Sequence, residues 1–160
     1  MAILPRRLDR VAVSGKAAAM ELEKLFAIAS TGALAGWVLL VLAPLRRDWA
    51  VIGARLVAAL LCGFYFALVV TGLASGGGMP EGAGFDTLAG VRLLLSTPQA
   101  LLAGWVHYLA FDLFVGSWET ADAPKSRVPH WLLLPCLGFT FVAGPVGLLL
   151  YLVVKAIRKR

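Results

Sequence analysis

The sequence has 160 residues, of which 60% are apolar and only 15% charged. Soluble domains hold closer to half apolar and a quarter charged residues, so a water-soluble fold is excluded and the chain reads as one integral membrane domain. The formal charge of +6 falls in loops and tails, where it bears on topology and on membrane lipids rather than on nucleic acid.

Residues 1–19 are basic and contain no apolar core of leader length. They read as a flexible extension or one lying on the headgroups. Met20, followed by Glu21-Leu22-Glu23-Lys24, reads as a second start, which would make residues 1–19 dispensable. The membrane domain is then residues 20–155, with residues 156–160 as a basic tail. The acidic residues suit the amino end of a first helix.

Span one is predicted at 25–43. Its small residues let helices approach closely, and Gly32 with Gly36 forms a GxxxG pair that fits either packing within the chain or dimerisation. Pro44 ends it, and Arg46, Arg47, Asp48 and Trp49 mark an interface. Span two is predicted at 51–74. Arg55 lies about 7 Å inside it by helix rise, where it either snorkels to the headgroups or pairs with a carboxylate. Tyr65 lies near mid-membrane. A Gly-rich turn follows, and then Phe85, Leu88, Val91, Leu94 and Leu95 recur at helical spacing. This predicts a short amphipathic interfacial helix, serving as a surface anchor or as a lid.

Thr97-Pro98 is a helix start, with Thr97 as cap. Span three is predicted at 97–116, and a loop at 117–128 carries Glu119, Asp122, Lys125 and Arg127. Span four is predicted at 129–154, interrupted by Pro135 and by Gly144-Pro145-Val146-Gly147. Pro145 lacks an N–H, so the Phe141 carbonyl loses its helical donor, a loss that membrane helices tolerate when neighbours satisfy the freed group. The fold class is therefore an all-α membrane four-helix bundle with a short interfacial helix between spans two and three.

Four crossings return the chain to its starting side. Lysines and arginines then divide ten against five in favour of the side of the termini, which predicts both termini in the cytoplasm of a bacterial inner membrane. Cys62 and Cys136 lie in apolar runs with no CxxC and no metal spacing. They read as small buried side chains, and neither a metal nor a cofactor is implied. Four-helix redox enzymes that handle quinones need a cysteine pair that this chain lacks.

Function is sought in span three, which carries His107, Tyr108 and Asp112 within its apolar run. A carboxylate near the bilayer centre costs several kcal/mol unless it finds a partner, water or a proton. Trp105, Tyr108, Asp112 and Glu119 share one helical stripe with Leu101, while His107, Phe111, Phe114 and Trp118 share another. His107 and Asp112 stand about 140° apart around the helix, so a dyad between them is disfavoured. Asp112 and Arg55 lie at matching depth and are predicted to pair, either to fix helix register or as part of a site.

The run from Trp105 to Gly116, with His107 and then Asp112-Leu113-Phe114, is followed by Pro135-Cys136-Leu137 and Gly144-Pro145-Val146-Gly147. Together with the start Met20-Glu21-Leu22-Glu23-Lys24-Leu25-Phe26, it resembles the abscisic-acid-deficient 4-like family of small four-span membrane proteins, and among them the bacterial branch. Plant members are required to form neoxanthin from violaxanthin, an epoxide-to-allene isomerisation of a carotenoid. The resemblance implies an isomerase, or an accessory protein, for a carotenoid or another long isoprenoid. Such a reaction needs an acid at the epoxide oxygen and a base for a carbon-bound proton. His107 is the candidate base, Asp112 the acid or anchor, and Tyr108 a further catalytic group. Arg55, Tyr65, Trp105 and Phe111 are candidates for binding the guest. The competing reading is a non-catalytic module that binds lipid or pigment, or stabilises a partner membrane enzyme, with a homo-oligomer also open. A haem protein ranks last, because His107 lies mid-span and His130 at a rim.

Overall fold

The computed structural model describes residues 4–74 and 79–158, with side chains from residue 15 onward. Five helices follow in order: α1 (Leu4–Val41), α2 (Arg47–Ala74), α3 (Leu88–Leu94), α4 (Pro98–Asp122) and α5 (His130–Arg158). No strand occurs among the described residues. Four of the helices are long and apolar enough to cross a membrane, as the hydropathy pattern predicts. The backbone set apart as a flexible extension is helical from Leu4 and runs unbroken into the first span.

The most buried of the four is α4, which packs against α1, α2 and α5. It begins as expected, with the Thr97 hydroxyl accepting from the Ala100 N–H at 3.2 Å and Pro98 in the first turn. Small residues set its spacing from α1. A side chain on Gly36 would strike Leu113, and one on Gly116 would strike the Trp37 ring. Gly32 meets nothing within 4 Å, so only one member of the GxxxG pair serves packing within the chain. The end of α4 lies beyond the predicted 116. Nothing from Ser117 to Asp122 breaks a helix before Pro124, and Ser117, Glu119 and Thr120 are fully buried rather than in a loop.

The predicted break in the last span is a reversal. Ala143 has φ −150° and ψ 60° inside α5, and residues 144–158 turn back beside residues 130–142. Two observations require this. Gly147 lies so close to Thr140 that a Cβ would fall on the Thr140 backbone, whereas residues seven apart on a continuous helix are about 10 Å apart. In addition, Lys155 Nζ stands 2.6 Å from Asp122 Oδ2, and Arg158 Nε donates to the Arg127 carbonyl at 3.3 Å. Both arms of α5 therefore lie along the carboxyl-terminal half of α4.

Asp122 clasps the returning arm. Its Oδ2 accepts from Ser126 Oγ at 2.7 Å and from the Tyr151 hydroxyl at 2.6 Å, besides pairing with Lys155. Tyr151 is wholly buried, edge-on to Trp118, and Lys155 stands 5.3 Å from that indole ring. The carboxyl-terminal end of α5 therefore does not lie at the end of the bundle where α1 enters. Leu22 and Glu23 of α1 lie with Leu95 and Pro98 at one end of the bundle. The end of α5 lies with Asp122 and Arg127 at the other.

Candidate functional site

Cutting a helix in mid-membrane leaves carbonyls without donors on one arm and N–H groups without acceptors on the next. One turn of α4 serves both cut ends. The Tyr108 hydroxyl donates to the carbonyls of Phe141 and Val142, at 3.3 and 3.0 Å. Four residues on, Asp112 accepts from the Gly144 N–H at the start of the returning arm, where the helix dipole favours a carboxylate. Gly144 permits this approach, since a Cβ there would collide with the Asp112 carboxylate. The other oxygen, Asp112 Oδ2, is buried and has no hydrogen-bond partner.

The predicted pair of Asp112 with Arg55 does not form. Arg55 Nε donates to Ser117 Oγ at 3.4 Å, five residues and about 140° further along α4. Matching depth alone suggested the pair; the side of α4 that each residue meets decides against it, because Arg55 reaches α4 from α2 while Asp112 faces α5.

The expected site residues thus divide into three groups. Trp105, Tyr108 and Asp112 lie on the stripe facing α1 and α5. Trp105 stacks on Tyr108 with ring centroids 5.4 Å apart, tilts against Phe26 at 5.6 Å, and donates from Nε1 to Ser30 Oγ at 3.1 Å. His107 and Phe111 stack at 4.5 Å, and Tyr65 meets the imidazole edge-on at 5.5 Å. With Cys62 and Ala110 these three rings line a small recess of about 230 Å³ between α2 and α4. Arg55 stands apart with Ser117.

A larger half-open groove of about 610 Å³ runs between α1 and α4, within the size range of small-molecule sites. Leu22 and Phe26 of α1 and Leu101, Trp105 and Tyr108 of α4 line it, and Leu95 and Glu23 stand near its mouth. Its origin lies in the reversal of α5. The first arm of α5 packs on α1 through Phe141 against Trp37, at 5.5 Å. Continued straight, it would run over Phe26 and Trp105. Because the chain turns back at Ala143, that lane stays open, and Tyr108 closes its inner end.

The model of the family described as ABA DEFICIENT 4-like matches residues 24–151. This chain belongs to that family. No curated protein and no solved structure matches it. In this family member the matched region takes in α4, the first arm of α5, the returning arm as far as Tyr151, and the groove apart from Leu22 and Glu23.

A further polar group escaped the sequence reading. Glu119 has no exposed surface, and its two carboxyl oxygens lie 3.0 and 3.2 Å from Thr140 Oγ1, which also contacts the Cys136 carbonyl at 2.9 Å. The available signal was the shared stripe with Asp112; the predicted loop boundary at 117 hid its meaning. His130, expected at a rim, contacts the Val41 carbonyl through Nε2 at 3.0 Å. No cluster of three metal-ligating residues occurs among the described residues.

Proposed function

We propose that this protein binds a long apolar isoprenoid of the carotenoid class in the groove between α1 and α4, and acts there as an epoxide isomerase or as an accessory to carotenoid biosynthesis. The supporting observation is the ladder Phe26, Trp105 and Tyr108 along that groove. Flat aromatic faces suit a rigid conjugated chain, which loses little conformational freedom on binding. The ladder leads to the groups that acid–base chemistry on an epoxide would use. On this reading the Tyr108 hydroxyl would turn from the Phe141 and Val142 carbonyls to donate toward an oxygen on the guest, with the Asp112 carboxylate beside it. His107, the candidate base, lies with Tyr65 and Phe111 in the separate recess on the α2 side of α4, so these three residues do not face a guest held in the groove. Arg55 is kept as an anchor for a polar end group. Membership of a family whose plant members are needed for neoxanthin formation supports the same substrate class.

The second reading is a non-catalytic binding module that holds lipid or pigment or steadies a partner membrane enzyme. It is favoured by the use of Tyr108 and of one Asp112 oxygen on the α5 backbone. Mass spectrometry of apolar molecules carried through purification in mild detergent tests the binding proposal, and absence of any isoprenoid would refute it. Asp112→Asn, Tyr108→Phe and His107→Ala in a carotenoid-producing host separate the two readings. Conversion lost with pigment retained supports the isomerase, and a coloured isoprenoid recovered unchanged by the unaltered protein supports the binding module.

A further inference from the structure

We propose that α5 is a re-entrant hairpin, so that the chain crosses the membrane three times, with the end holding Asp122 and Arg158 against the anionic headgroups of the cytoplasmic leaflet. At 1.5 Å per residue the two arms of α5 are roughly 20 and 22 Å long, short of a hydrocarbon core of about 30 Å. The tip at Ala143 is satisfied from within, by Tyr108 and Asp112 at mid-span of α4. Irregular backbone at membrane depth is tolerated under that condition. Both arms start and finish among polar groups at the same end. His130 meets the Val41 carbonyl there, and Lys155 and Arg158 meet Asp122 and the Arg127 carbonyl.

The reversal also changes the charge balance between the two faces. Arg46, Arg47, Arg55, Lys125, Arg127, Lys155 and Arg158 lie toward this end, against Lys16, Lys24 and Arg92 toward the other within residues 15–158. Over the whole sequence, moving the basic tail to this face turns ten against five into six against nine. Cations in short segments next to membrane helices mark the cytoplasmic side and are drawn to its anionic leaflet. Trp49, at the start of α2, and Trp131, at the start of α5, are both largely exposed, as indoles are at a headgroup boundary. The amino-terminal end of α1 then faces the opposite compartment.

The test uses single cysteines in a background carrying Cys62→Ala and Cys136→Ala. Lys16→Cys, Lys125→Cys and Arg158→Cys are each exposed to a membrane-impermeant maleimide, in intact spheroplasts and in inverted vesicles of a bacterial host. The expected result is labelling of Lys125→Cys and Arg158→Cys in inverted vesicles only, and of Lys16→Cys in spheroplasts only. Labelling of Arg158→Cys from the same side as Lys16→Cys overturns the hairpin. Labelling of Lys125→Cys and Arg158→Cys together in spheroplasts overturns the orientation and leaves the hairpin standing. If the cysteine-free background fails to insert, a fluorescent protein fused before Met1 and, separately, after Arg160 of the unaltered chain takes its place. Fluorescence after Arg160 alone is the expected result; fluorescence from both fusions overturns the hairpin, and a dark full-length fusion after Arg160 overturns the orientation.

Discussion

Gly147→Ala tests the reversal of α5 with one methyl group. The added Cβ would fall on the backbone N, the Cα and the Oγ1 of Thr140, on the facing arm. Backbone cannot swing aside as a side chain does, so the arms must part. Overpacking of this kind typically costs about 1–3 kcal/mol, and the unyielding contact puts this site at the upper end. A loss of about 3 kcal/mol lowers the folding equilibrium constant more than a hundredfold. Gly138→Ala is the internal control. It lies on the first arm of the same helix, and a Cβ there meets nothing within 4 Å. Removing a helical glycine at an open position is neutral, or stabilises by about 0.4–1 kcal/mol. The assay is reversible unfolding of both variants in mixed micelles, followed by tryptophan fluorescence. Were α5 a straight spanning rod, residues 140 and 147 would never touch and both substitutions would behave alike. Equal midpoints for the two variants would therefore refute the reversal.

Three further outcomes follow from the geometry. Asp122→Ala removes the acceptor shared by Ser126, Tyr151 and Lys155 and should cost about 3 kcal/mol, read as earlier proteolysis of the carboxyl-terminal arm in micelles; unchanged protection would mean that the clasp does not hold it. Thr140→Val leaves the buried Glu119 without its hydroxyl partner and should destabilise by about 1–3 kcal/mol. Glu119→Gln keeps the shape and an acceptor and should cost less, so the reverse order in a thermal melt would contradict the assigned contact. Trp105→Leu keeps an apolar side chain but breaks the stacking with Phe26 and Tyr108. It should sharply reduce co-purified isoprenoid while leaving the melting temperature within a few degrees; full retention would move the guest elsewhere.

The four long apolar helices could be read from sequence because twenty or so apolar residues in a row have few other uses. The cap at Thr97 was legible because its chemistry is local. The break at Pro145 was legible too, as was the consequence that the Phe141 carbonyl would need a new donor. What the sequence did not disclose was the angle of the break. A proline predicts a kink or a stop, and only the glycine at 147, facing Thr140 across the turn, distinguishes a bend from a return. The roles of Tyr108 and Asp112 follow from that angle. The depth argument for a pair with Arg55 rested on a span end at 116, whereas α4 runs on to Asp122. Ser117, which Arg55 meets, lies about 7 Å nearer that end than Asp112 and on another side of the helix, so depth and azimuth both send Arg55 to Ser117. Glu119 was missed for a related reason: a loop boundary was set where polarity rises, although nothing there interrupts helical geometry.

A bundle in which one helix doubles back is a wedge. Cut through the leaflet that holds both arms of α5, it presents five rods; cut through the other, it presents three. With each rod about 10 Å across, the lipids of the second leaflet must close around a footprint smaller by two helices. A sheet of lipid that bends so as to narrow that leaflet fits such a taper better than a flat one, and strongly curved membranes should collect the protein on that account.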